Sequence, residues 1–221
     1  MKYNLIYIDF PMEFEDANTG GSLRSGARYI YGAKNKYRAG TMKLQEVKEL
    51  LFEINKVAAK NCIIAMWGFV PLADQCMELV ECFKQFGFKY VTKFFWIKDR
   101  KKLGMGRNFR NDVEELILLD RGSKIMAITN DVEELIFIKR GSVEPFGLHI
   151  RNYFVLPPTE HSRKPDEFRW LVELVGWISF GRSANFLELF ARQRSPGWEV
   201  LGHDIDGKDI RVSLKKLQAI A

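Results

Sequence analysis

Residues Tyr3 to Ile8 form a nearly unbroken apolar run, the pattern of a strand covered on both faces of a sheet. From Asp9 to Gly40 the pattern turns polar and glycine-rich, with Gly20, Gly21, Gly26, Gly32 and Gly40. A stretch of this length without periodicity reads as a functional loop, and residues 13–40 are expected to be mobile. Helical spacing then returns: Leu44, Val47, Leu50, Leu51, Ile54 and Val57 predict a helix from about Lys43 to Lys60. Cys62 to Trp67 is a second short apolar strand. Pro71 to Phe86 is a second helix, closed by Gly87, and Phe88 to Lys98 alternates as a third strand. This strand–helix–strand–helix–strand order predicts an α/β fold of Rossmann-like type. Its sheet is mainly parallel, with helices on both faces and right-handed crossovers. Ligands on such sheets bind beyond the carboxyl ends of the strands.

The pattern Asn111-Asp-Val-Glu-Glu-Leu-Ile-Leu-Leu-Asp-Arg-Gly-Ser123 recurs as Asn130-Asp-Val-Glu-Glu-Leu-Ile-Phe-Ile-Lys-Arg-Gly-Ser142, with ten of thirteen positions identical. Each copy predicts a strand ending in an Arg-Gly turn. Two copies are too few for a solenoid, so residues 111–142 read as a local duplication of a strand-turn segment. After Pro157-Pro158 comes a helix at Lys164 to Val175 with Pro165 in its first turn. Strands follow at Asn185 to Phe190 and Trp198 to Gly202, then a basic, partly amphipathic tail from Lys208 to Ile220. No interdomain linker interrupts this order, and residues 1–221 read as one domain.

Composition narrows the class. A chain of 221 residues, 47% hydrophobic and 28% charged, suits one α/β domain with a sizeable core. No apolar run reaches membrane-spanning length, and the opening run ends at Asp9, too early for a secretory signal. Cys62, Cys76 and Cys82 are odd in number and lack CxxC spacing, which argues against a zinc site or a disulfide framework. A cytoplasmic setting, no membrane association and no metal are therefore expected. The formal charge of +6 allows a polyanionic partner without requiring one.

Three segments carry candidate chemistry. The first is Tyr7-Ile8-Asp9-Phe10-Pro11-Met12 at a strand's carboxyl end. A carboxylate there, with a backbone carbonyl, could accept both N–H bonds of a conjugated amine and favour a more tetrahedral nitrogen. Read alone, an Asp before a turn proline is also an ordinary strand end. The second is Glu160 to Phe168, an ordinary capped helix start that could also set Lys164 against a ligand carboxylate. The third is Leu187-Glu188-Leu189-Phe190-Ala191-Arg192-Gln193-Arg194, continuing through Pro196-Gly197-Trp198 to His203-Asp204. It could cradle a nucleoside, or be a solvated basic turn.

In this order the segments resemble the MT-A70 family of S-adenosylmethionine-dependent adenine N6-methyltransferases. The family's Asp-Pro-Pro-Trp is matched by Asp9-Phe10-Pro11-Met12, and a Tyr-x-Thr-Met-like segment loosely by Tyr37 to Met42. A GMG-x-x-FRN stretch is matched by Gly104 to Asn111, HSRKPDEF by His161 to Phe168, and ELFAR…PGW by Glu188 to Arg192 and Pro196 to Trp198. The resemblance implies a methyltransferase acting on the exocyclic amine of a nucleic-acid base, DNA before RNA, with S-adenosylmethionine as cofactor. It implies that Asp9, Phe10, Pro11 and Met12 form the catalytic motif, Asp9 holding the amine near the cofactor. Lys164 would face the cofactor carboxylate; Glu188, Leu189, Phe190 and Arg192 would line its other side; His203 and Asp204 would lie near ribose and adenine. Tyr37 and the 13–40 active-site loop would close over the base. Arg107, Asn108 and Arg110 would contact substrate phosphates or loops.

Two departures from the pattern bear on activity. Phe10 replaces the second proline, and Met12 replaces the tryptophan that would lie against the base. Losing that aromatic face removes roughly 1–3 kcal/mol of stacking, unless polarizable Met12 or the Phe10 ring substitutes. The alternatives are an impaired, methyltransferase-like binding or partner subunit, or an enzyme for another amine such as cytosine N4 or RNA adenosine. A homodimer or heteromer is equally open.

Overall fold

The computed structural model describes residues 2–12, 41–69, 72–99, 132–143, 151–157, 159 and 163–220. Seven strands build one sheet: β1 (Tyr3–Ile8), β2 (Ala58–Phe69), β3 (Lys89–Lys98), β4 (Val132–Arg140), β5 (Tyr153–Leu156), β6 (Phe186–Leu189) and β7 (Trp198–Leu201). Their spatial order is β5-β3-β4-β2-β1-β6-β7. Strand β1 runs parallel to β2 and β6, β6 to β7, and β3 to β5, whereas β4 is antiparallel to both its neighbours. The sheet is thus mainly parallel, as the sequence pattern predicts, with one reversed strand.

That reversed strand is the second copy of the duplicated segment. It separates β2 from β3, which the sequence order alone would put side by side. Its Arg-Gly ending is a turn: Gly141 takes φ 77°, a backbone conformation that side chains disfavour. Arg140 anchors the strand at this end, donating to the Asn55 side chain (2.6 Å) and to the carbonyls of Ala59 (2.7 Å), Ala58 and Phe86 (3.2 Å each). The first copy, residues 111–123, and the loop at 13–40 lie outside the described residues.

Two apolar layers flank the sheet. On one face lie α1 (Leu44–Val57), α2 (Ala73–Lys84) and α5 (Ile210–Ile220). Helix α1 buries Val47, Leu50, Leu51, Ile54 and Val57 along one side, and Glu46 accepts the Lys43 N–H at 3.0 Å at its start. Helix α2 buries Cys76, Leu79, Val80 and Phe83. The basic tail is α5, whose Ile210 and Leu214 enter the same core. On the opposite face α3 (Asp166–Phe180) packs Phe168, Leu171, Val172 and Val175 against Leu5, Tyr7, Ala65 and Phe137. A one-turn helix, α4 (His203–Asp206), links β7 to α5.

The period-two alternation of β1 decides which face each neighbouring residue reaches. Leu5 and Tyr7 face α3, while Ile6 and Ile8 face the α1 layer. Because β1, β6 and β7 are parallel, Asp9, Phe190 to Gln193 and Gly202 to Asp204 all follow carboxyl ends on one rim.

Candidate active site

On this rim, on the α3 face, lies an open pocket. Asp9 and Tyr7 come from β1; Glu188, Phe190, Arg192 and Gln193 from the end of β6; Lys164 and Arg169 from the start of α3. Lys164 Nζ is 3.2 Å from Asp9 Oδ1 and 2.7 Å from Glu133 Oε2, and Lys98 also pairs with Glu133. The result is an alternating chain of charges, Lys98–Glu133–Lys164–Asp9, running across the rim from β3 to β1.

Electrostatics favour the charged forms of Lys164 and Glu133. Burial disfavours the Lys164 ammonium, but Asp9 and Glu133 outweigh it and raise its pKa. Burial likewise opposes the Glu133 carboxylate, yet Lys164 and Lys98 carry its pKa below the ordinary value. The Lys164 ammonium also stands 5.0 Å from the Trp67 ring centroid. Trp67 Nε1 donates to Tyr7 Oη at 2.6 Å, tying the wall beneath the lysine to β1. Burial pushes the Tyr7 phenol well above its ordinary range, only partly offset by that hydrogen bond.

A second ion pair forms the opposite wall. Arg169 grips Glu188 through two bonds, Nε to Oε2 at 3.0 Å and Nη2 to Oε1 at 2.9 Å. Burial still raises the Glu188 pKa, with Arg169 opposing and Asp9 and Asp166 adding to the rise. Asp166 accepts from Arg169 and from Gln193, both at 3.3 Å, which fastens the loop after β6 to the start of α3.

The structure brings Asp9, Lys164, Glu188, Phe190 and Arg192 together at the pocket. Phe190 holds φ 61°, a left-handed conformation rare for an aromatic residue, at the point where the chain leaves β6. Phe10 and Leu189 turn away from this pocket. The Phe10 ring is 7% exposed and packs against Phe190 at 5.7 Å, so it belongs to the core and offers no face to the pocket. Leu189 is 1% exposed with its side chain in the α1-side core, because it alternates with Glu188 along β6. Pro11 and Met12 continue past the rim: Met12 N–H donates to the Phe10 carbonyl (2.8 Å) and Met42 N–H to the Pro11 carbonyl (2.7 Å). Met12 is half-buried against the core.

His203 and Asp204 begin α4 on the same rim but are not among the residues lining the pocket. Gly202 brings them there by close approach, since a Cβ at this position would lie 2.2 Å from the Ala191 carbonyl oxygen. Tyr37, Arg107, Asn108 and Arg110 lie outside the described residues, as does His161. Sequence reasoning gave no role to Tyr7 and Gln193 within its candidate segments and did not single out Trp67, Lys98, Glu133 or Arg169. The one available signal was the Glu133-Glu134 pair in the middle of a strand pattern, where alternation sends the two carboxylates to opposite faces.

Comparison with known proteins gives the chain a family. The MT-A70 family model matches residues 26–204. The chain belongs to the MT-A70 family. A type II methyltransferase, M.MunI, from Mycoplasma sp, is 26% identical over 219 residues, spanning 96% of this chain and 81% of that protein. As an MT-A70 protein the chain is an S-adenosylmethionine-dependent methyltransferase of Rossmann-like fold. The residues present suit that cofactor: a cation for a carboxylate (Lys164), an anion near a sulfonium (Asp9), and a rim tightened by Gly202. Among the described residues, no helix is long and apolar enough to cross a membrane, and no group of three or more His, Cys, Asp or Glu could hold a metal.

Proposed function

We propose that this MT-A70 protein methylates the exocyclic N6 amine of adenine in DNA, with Asp9 as the residue that holds the amine. The observation that carries this reading is the Asp9 carboxylate itself, at a strand's carboxyl end on an open pocket, beside a buried cation. The adenine amine is a weak nucleophile because its lone pair is delocalised into the ring. Asp9 accepts one of its N–H bonds and the strand-end backbone a second, which draws the nitrogen toward tetrahedral geometry. The Phe10 carbonyl already takes the Met12 N–H but retains a second lone pair. S-adenosylmethionine, when bound, supplies the electrophilic methyl group. Lys164 would hold its carboxylate and Arg192 would lie on its ribose side, while the Arg169–Glu188 pair keeps the far wall rigid. Asp9 is also the base within reach of the proton that the amine loses. Positioning supplies most of the rate. A base inside a duplex must be flipped out to reach this pocket, and the formal charge of +6 suits a polyanionic substrate.

A second reading has an observation in its favour. With Phe10 in the core and Met12 in the tryptophan position, no aromatic face from this motif meets the base. Such a chain could serve as a binding or partner subunit.

One assay separates these readings. Labelled cofactor is incubated with DNA and, separately, RNA, and the modified nucleoside is identified by mass spectrometry. N6-methyladenine from DNA, lost in Asp9→Asn while calorimetry still detects cofactor binding, is the expected result. Label in N4-methylcytosine or in RNA reassigns the acceptor. Cofactor binding without transfer to any nucleic acid favours the partner subunit.

A further inference from the structure

We propose that Arg169 is a positioning residue of the cofactor site: its guanidinium fixes the Glu188 carboxylate on the pocket wall and ties it to the loop that carries Arg192. The proposal rests on the reading that this pocket holds S-adenosylmethionine. Arg169 stands one residue beyond the His161 to Phe168 segment and three residues after Asp166, so both reach the same side of α3. The pair is well buried, with side chains 14% exposed for Arg169 and 9% for Glu188. Nε and Nη2 of Arg169 take one Glu188 oxygen each, and Nη1 reaches Asp166 Oδ1 at 3.3 Å. Gln193 donates to that same Asp166 oxygen. The start of α3, the end of β6 and the loop after it thus converge on one cation. The planar fork orients the carboxylate in a way a lysine could not, and each Glu188 oxygen keeps a lone pair for a donor in the pocket.

Glu188 needs such a partner because its surroundings are hostile to a carboxylate. Asp9 and the Tyr7 phenol face it from β1 and Asp166 from α3, while β7 sets apolar Val200 beside it in register. Arg192 and Gln193 follow it on its own loop and line the same pocket. Lys164 is held by Asp9 and Glu133. Burial, Asp9 and Asp166 favour the protonated carboxyl, and Arg169 opposes all three. Without Arg169, Glu188 takes up its proton at a higher pH than in wild type. A protonated carboxyl loses acceptor capacity and the negative charge that suits a sulfonium ligand. The loss of cofactor affinity on removing Arg169 therefore grows toward acid, a signature that a brace holding the rim together does not produce.

Calorimetric titration of S-adenosylmethionine into the full chain at pH 6 and pH 8 tests this. Each variant's Kd is divided by that of wild type at the same pH, which cancels the cofactor's own titration. Arg169→Met should weaken binding about tenfold at pH 8 and about tenfold more at pH 6. Arg169→Lys keeps the charge without the fork, so its loss should be about tenfold at both pH values. In a Glu188→Gln background, Arg169→Met should change affinity by less than about twofold at either pH, since no carboxylate remains to orient. That double variant also leaves no unpaired buried charge, so it decides the matter if Arg169→Met alone fails to fold. Wild-type affinity in Arg169→Met overturns the proposal, as does an equal loss at both pH values or a further loss in the Glu188→Gln background. A wild-type chain that binds no S-adenosylmethionine overturns the cofactor reading and this proposal together, whereas a binding wild type with an indifferent Arg169→Met overturns this proposal alone.

Discussion

Lys164 Nζ lies 2.7 Å from Glu133 Oε2, so a lysine at the start of α3 is held by a carboxylate from β4, two strands away from the Asp9 strand. Glu133 is 4% exposed and touches two ammonium groups. It thereby fixes where the Lys164 charge stands relative to Asp9, a placement that neither residue's local sequence specifies.

This pair makes stability depend on pH. Lys164 and Lys98 hold Glu133 below its ordinary value of 4.5 despite burial, so its ionised form contributes stability above that value, and the contribution is lost as pH falls through the lower folded value. Glu133→Gln should cost about 3–5 kcal/mol at neutral pH, because two buried ammonium groups lose their shared partner. Urea denaturation at pH 7 and at pH 3 should show the gap between wild type and variant narrowing in acid. A constant gap would mean that Glu133 is not ionised in the fold.

The Trp67–Tyr7 hydrogen bond should couple the two residues energetically. Trp67→Phe leaves the buried Tyr7 oxygen without its donor and thins the surface beneath Lys164, costing about 1–3 kcal/mol. Tyr7→Phe in the Trp67→Phe background should then cost less than in wild type. A double-mutant cycle by chemical denaturation measures this, and simple additivity would contradict it.

Gly202→Ala tests how tightly the rim is closed. The new Cβ would lie 2.2 Å from the Ala191 carbonyl oxygen and 2.7 Å from its nitrogen, and backbone atoms have little room to yield. The loops after β6 and β7 must separate, at about 1–3 kcal/mol of stability. Cofactor affinity, measured by calorimetry, should fall more than stability alone explains, because Arg192 and His203 stand on those loops. Unchanged affinity would remove this rim from the cofactor site.

Met12→Trp tests the proposed base contact. If position 12 faces the adenine, an added indole should lower the KM for DNA roughly tenfold through stacking, with kcat little changed. An unchanged KM would show that the half-buried Met12 has no part in holding the base.

Periodicity alone predicted most of the strands and helices, because burial on one or two faces imposes repeats of 2.0 or 3.6 that survive without tertiary information. The 3.6 repeat in α1 and the alternation in β3 fall where the sequence pattern puts them. The motif order also identified the family, through Asp9, Lys164 and the segment from Glu188 to Arg192. Strand adjacency was not legible. Nothing local says that residues 132–140 enter the sheet in reverse between β2 and β3, since hydrogen-bonding partners are chosen by the whole sheet. Which alternating side of each element met the core was decided by its packing in the sheet: Phe10 and Leu189 turn into the core, and Glu133 and Arg169 reach the rim. Short-range spacing determines what an element is. Only the tertiary structure decides which charges meet, because ionic contacts join residues far apart in the chain.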